Sequence, residues 1–102
     1  MARVRVARAS EVPAGTGKVV EVGGHSLALF NVDGVFYAID NACPHRGGPL
    51  GEGEVDGRVV TCPWHAWRWD VTTGCHVNNP ALRVACFPVS IEGDDVIVEL
   101  RD

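Results

Sequence analysis

No segment of the 102 residues approaches the run of about 18 apolar residues that a membrane-crossing helix requires. Basic residues are also scarce. Nine Lys and Arg stand against thirteen Asp and Glu, giving a formal charge of −4, and no Lys/Arg cluster forms anywhere along the chain. A nucleic-acid footprint needs a basic face, so that class of partner is disfavoured. Helical periodicity with caps is missing, and twelve glycines and six prolines are spread through the sequence. The start, MARVRVARAS, alternates Arg with Val and lacks the continuous apolar core of a secretory signal. The expected location is therefore the cytoplasm. There, four cysteines point to metal binding or free thiols before disulfides.

What is present is a series of short β-branched runs separated by turn dipeptides. RVRVARA (3–9) alternates polar and apolar, as a half-buried strand does. KVVEV (18–22) and HSLALFNV (25–32) flank Gly23-Gly24. Asp33-Gly34 leads to VFYAID (35–40), Asp56-Gly57 joins GEGEV to RVVTC, and Gly93-Asp94 separates FPVSIE from DVIVEL. Such dipeptides mark two-residue hairpins, because a type I′ turn needs positive φ at both central positions. The expectation is a single all-β domain over residues 1–102, built from antiparallel hairpins with two longer loops, about 43–50 and 62–82.

Those loops carry the chemistry. Cys43, His45, Cys62 and His65 read C-x-H, sixteen residues, then C-x-x-H, each cysteine followed by a proline. The Asp56-Gly57 hairpin lies between them, so the two loops can return side by side and four ligands can converge. Donor chemistry alone leaves two metals open. Two thiolates and two imidazoles satisfy tetrahedral zinc. They equally satisfy a [2Fe–2S] cluster in which two histidines replace two cysteines on one iron.

The stretch CPHRGGPLGEGEVDGRVVTCPWHAWRWDVTTG (43–74) resembles the cluster-binding region of Rieske-type ferredoxins, the electron carriers of bacterial aromatic-ring-hydroxylating dioxygenase systems. That resemblance implies stacked antiparallel sheets with the cluster loops at one tip. It implies Cys43 and Cys62 on one iron, and His45 and His65 on the other with their outer ring edges toward solvent. It also implies a monomeric one-electron carrier, not an enzyme, between a flavin-containing ferredoxin reductase and a terminal Rieske non-haem iron oxygenase. On this reading Gly47 and Gly48 let the loop turn tightly enough for amide N–H groups to reach the sulfurs. Two other readings compete: a Rieske-like small subunit of an assimilatory nitrite reductase, and a zinc-stabilised interaction module without redox role.

Residues outside the motif have plainer expected roles. Cys75 and Cys86 read as buried or partly buried free thiols, His25 as an exposed turn residue and His76 as solvent-facing. Trp67 and Trp69 read as packing residues, whereas Trp64, between two ligands, is placed to screen the site from water. Glu52, Glu54 and Asp56 form either a solvated hairpin face or a docking patch for basic partners. Arg46 is placed to meet a partner or a neighbouring carboxylate. Pro80 resembles the proline of a segment that folds over the cluster loops.

Respiratory Rieske proteins resemble the same pattern but add an interloop disulfide whose cysteines would fall at Gly48 and Trp64, and a serine and tyrosine where Trp67 and Trp69 stand. The bridge and both hydroxyls are absent here. Fewer donors stabilise the more negative, reduced state less. The midpoint potential is expected near the low end of the roughly −150 to +300 mV span of mixed-ligand clusters; a redox titration checks this, and a midpoint well above zero contradicts it.

Overall fold

The computed structural model describes residues 2–43, 47–64 and 66–100. Within them the chain forms ten strands: β1 (Ala2–Arg8), β2 (Thr16–Val22), β3 (His25–Val32), β4 (Val35–Asp40), β5 (Glu54–Asp56), β6 (Val59–Thr61), β7 (Arg68–Asp70), β8 (Cys86–Phe87), β9 (Val89–Glu92) and β10 (Asp95–Leu100). Single turns of 3-10 helix occupy Ala9–Glu11 and Leu50–Glu52. The all-β expectation holds.

The strands make three antiparallel sheets, ordered β1-β10-β9, β2-β3-β4-β8 and β5-β6-β7. The second sheet is the middle layer, and β3 shows why. Leu27 through Asn31 are all buried, because successive side chains enter opposite faces and both faces are covered. Leu27 and Leu29 pack with Ala38, Val96 and Val98 on one side. Ala28 and Phe30 pack with Ile39, Val60 and Trp69 on the other. The molecule thus has two cores divided by one strand, and the second lies beneath the β5-β6-β7 sheet.

Turn chemistry follows the sequence with one shift. Asp33 and Gly34 both have positive φ, 52° and 90°, between the paired Val32 and Val35. In the hairpin between β5 and β6, Asp56 instead pairs with Val59, so the turn is Gly57-Arg58 rather than Asp56-Gly57. Positive φ falls only on Gly57, at 62°, the pattern of a II′ turn with glycine leading. The span expected as one long loop, 62–82, also contains β7, which pairs with β6 through Val60↔Trp69. Three residues bounded by ligand-loop chemistry are too short to show strand alternation in a sequence.

The site segment is inserted between neighbours. β4 and β8 pair directly, Ile39 opposite Cys86, and everything from Asn41 to Ala85 leaves and re-enters at that point. Asn41 anchors the departure. Its carbonyl accepts from the Leu50 N–H at 2.8 Å, its side-chain oxygen accepts from the buried Gly51 N–H at 2.8 Å, and its amide donates to Ser26 Oγ at 3.2 Å. Replacing Asn41 by Ala leaves the Gly51 N–H without an acceptor in a buried place, and is expected to lower unfolding free energy by about 1–3 kcal/mol. Denaturant titration of the variant measures it.

Candidate metal centre

Two loops meet at one end of the β5-β6-β7 sheet, and each closes in the same way. The Cys43 N–H donates to the Gly48 carbonyl at 3.0 Å, and the Cys62 N–H donates to the Trp67 carbonyl at 2.7 Å. Each cysteine amide therefore reaches the carbonyl five residues ahead. The echo visible in the sequence is a repeated backbone device, one loop facing the other.

The device brings the two thiols together. Cys43 and Cys62 are each 1% exposed, belong to one buried cluster, and interact through their side chains. Burial pushes the Cys62 thiol up, and the neighbouring Cys43 acts in the same direction. The Trp64 backbone N–H, donating to the Cys62 sulfur, opposes both. Neither sulfur is in a disulfide. Two adjacent buried thiols with an amide aimed at one of them suit thiolate ligation, which would release their protons and give that amide a charged acceptor.

Gly48 lets the loops touch. A Cβ added there would lie 2.6 Å from Cys62 Sγ and 3.1 Å from Trp64 Cβ. Gly47 supplies the tight turn expected of it. Gly47, with φ of 73°, donates its N–H to the Cys43 carbonyl at 2.6 Å, so this amide closes the loop and is not aimed at a sulfur. Among the described residues an amide that does reach a cysteine sulfur comes from Trp64, where it is expected: Pro63 has no N–H to give, so the donor falls to a residue after it. His45 and His65, with Pro44 and Arg46, lie outside the described residues.

The segment after β7 folds back over this end. Trp69 and His76 form an isolated bridge, the His76 N–H donates to the Leu82 carbonyl at 2.9 Å, and the Val77 N–H donates to the Arg68 carbonyl at 3.0 Å. His76 is not solvent-facing as expected. Its ring stands edge-on to Trp67 and Trp69, with centroids 5.0 and 5.1 Å away. Its Nδ1 accepts the Asn78 and Asn79 N–H groups, both at 3.1 Å. Trp67 and Trp69 pack as expected, and Trp64 is 50% exposed, with its Cβ and Cγ against Gly48. Cys75 and Cys86 are free thiols, Cys75 partly buried and Cys86 exposed rather than buried. His25 is exposed, and so are Glu52, Glu54 and Asp56.

One buried polar atom bears on whether a cluster fits. Trp69 is 0% exposed, yet its Nε1–H has no hydrogen-bond partner among the described residues. An orphaned donor in the same buried cluster as two free thiols is what a sulfur-rich group would complete. The residues described fit a [2Fe–2S] cluster.

Residues 2–88 match the model of the Rieske [2Fe-2S] domain. The chain belongs to that family. The Rieske domain is 40% identical over 91 residues to the ferredoxin component of the naphthalene 1,2-dioxygenase system of Pseudomonas aeruginosa, covering 88% of each chain. Its fold superposes on the ferredoxin of carbazole 1,9a-dioxygenase from Nocardioides aromaticivorans with a TM-score of 0.89. The two are 27% identical, over 99% of this chain and 100% of that one. A chain in a complex of reduced oxygenase and oxidised ferredoxin in carbazole 1,9a-dioxygenase gives a TM-score of 0.85 at 34% identity, covering 94% and 91%.

Because the Rieske domain has no room for a side chain at position 48, Gly48→Ala is expected to force its two loops apart. Overpacking of this kind costs about 1–3 kcal/mol. Iron and acid-labile sulfide per chain should fall severalfold after purification, and full occupancy would show that the loops give way freely.

Proposed function

We propose that this Rieske domain is a one-electron carrier that receives electrons from a flavin-containing NAD(P)H reductase and delivers them to a terminal Rieske non-haem iron oxygenase. The thiolates of Cys43 and Cys62 would hold one iron of a [2Fe–2S] cluster, and the imidazoles of His45 and His65 the other. The observation that carries the reading is the meeting of two buried, unpaired thiols between two loops closed by the same backbone hydrogen bond. The ferredoxin relatives supply its context. When bound, the cluster supplies a centre that takes up and gives back a single electron.

The chain's own part is positional. Cys43 and Cys62 sit in a dry core with Phe30, Leu50, Val60, Trp69 and Val71, which keeps water from the sulfurs. Cys62 takes its orientation from the Trp64 amide. Trp64 is half exposed, and the acids Glu52, Glu54 and Asp56 are exposed and available to a basic partner. Such charge complementarity sets association rates more than affinity. No helix among the described residues is long and apolar enough to cross a membrane. Four cysteines outside any disulfide support a reducing, cytoplasmic setting.

The purified protein should be reddish-brown and bleach on reduction; a colourless, zinc-loaded protein would defeat the reading. His45→Ala and His65→Ala should each abolish electron flow from reductase to oxygenase and remove the mixed-ligand EPR signal of the reduced protein. Undiminished flow in either variant overturns the assignment of that histidine.

A further inference from the structure

Trp69 poses a problem that the carrier reading leaves open. A fully buried N–H without an acceptor destabilises a protein by about 1–3 kcal/mol, and native cores rarely tolerate one. Its neighbours in the core are Ala28, Phe30, Ile39, Leu50, Val60, Val71 and Val84, together with the two cysteines. A buried water would need two to four polar partners, and among the described side chains of this cluster the hydroxyl of the partly buried Tyr37 is the one oxygen available. The His76 ring stands edge-on to the indole, and its Nδ1 already accepts two backbone amides.

Strand register shows which acceptor is near. Trp69 lies opposite Val60 in the β6–β7 pair, and the Cys62 N–H bonds to Trp67 two residues further along. With alternation of two, Val60, Cys62, Trp67 and Trp69 project from one face of the sheet, and Trp69 is the diagonal neighbour of Cys62. Aromatic side chains reach across such diagonals. A neutral thiol is a poor acceptor, whereas an iron-bound thiolate or sulfide carries negative charge and is a good one.

We propose that the indole N–H of Trp69 is a hydrogen-bond donor to a sulfur of the bound cluster, making Trp69 a residue that tunes the potential of the centre. This rests on the cluster assignment above. Two hydroxyl donors are missing at positions 67 and 69, and the indole restores a nitrogen donor at one of the two. Because the bond strengthens as the centre gains negative charge, it favours the reduced form.

The test compares the holoprotein with Trp69→Phe, which removes the N–H and keeps an aromatic ring. EPR of both reduced proteins establishes that the mixed-ligand cluster is present, independently of what Trp69 does. The variant should then favour the reduced form about tenfold less, a negative shift of about 59 mV for a one-electron couple. Electron–nuclear double resonance on wild-type protein carrying ¹⁵N-indole tryptophan does not depend on Trp69→Phe, and so stands even if that variant fails to assemble. It should show a coupled indole nitrogen and an exchangeable proton, both retained in Trp64→Phe and Trp67→Phe, which leaves Trp69 as their source. An unchanged potential, or no indole coupling in a protein with a normal cluster signal, overturns the proposal and leaves the N–H to a trapped water. Loss of the mixed-ligand signal from wild type would instead overturn the cluster assignment itself.

Discussion

Two cysteine side chains nineteen positions apart must reach the same dry point, and most of the surrounding structure follows from that requirement. Hairpin β5–β6 returns the chain after the first loop so that the second can face it. Each cysteine amide then reaches five residues forward to close its own loop, which fixes the direction of the side chain. Close approach also dictates a residue without a side chain at position 48, where a Cβ would collide with Cys62 Sγ. Burial comes from beneath, through Phe30 on the doubly covered β3 and Trp69 on β7.

The layered core explains how a small chain holds such a site still. β3 supplies alternate residues to two separate apolar groups, so the sheet that carries the first loop is clamped from both sides. The surface ion pairs contribute little by comparison. Arg3–Glu92 and Arg5–Asp95 are short, at 2.6 and 2.7 Å, but their side chains are about half exposed and screened by solvent. Stability rests on the apolar layers, and the loops are fastened to them by named hydrogen bonds such as those of Asn41.

Much of this could be read from residue order. Strands β3 and β4 coincide with HSLALFNV and VFYAID, because β-branched runs bounded by Gly-Gly and Asp-Gly leave few alternatives. The repeated cysteine spacing located the two loops that bring Cys43 and Cys62 into one buried cluster. What escaped depends on backbone geometry or on distant contacts. β7 is three residues long and exists because β6 lies beside it. The turn at Gly57-Arg58 slipped by one because pairing extends to Asp56. His76 carries no local mark of burial; its place is set by Trp67 and Trp69 across a folded-back segment. The exposure of Cys86 likewise depends on which loops pass nearby.

The direct pairing of Ile39 with Cys86 means that the scaffold is continuous without the site. Residues 41–85 form an excursion whose two ends are already neighbours in one sheet. Such an arrangement can be altered internally without disturbing strand order elsewhere, because loop lengths, flanking aromatics and donors all lie within the excursion. A lineage could therefore retune the electron affinity of the tip while inheriting its frame intact, and a designer could graft the whole cassette between adjacent antiparallel strands of another sheet.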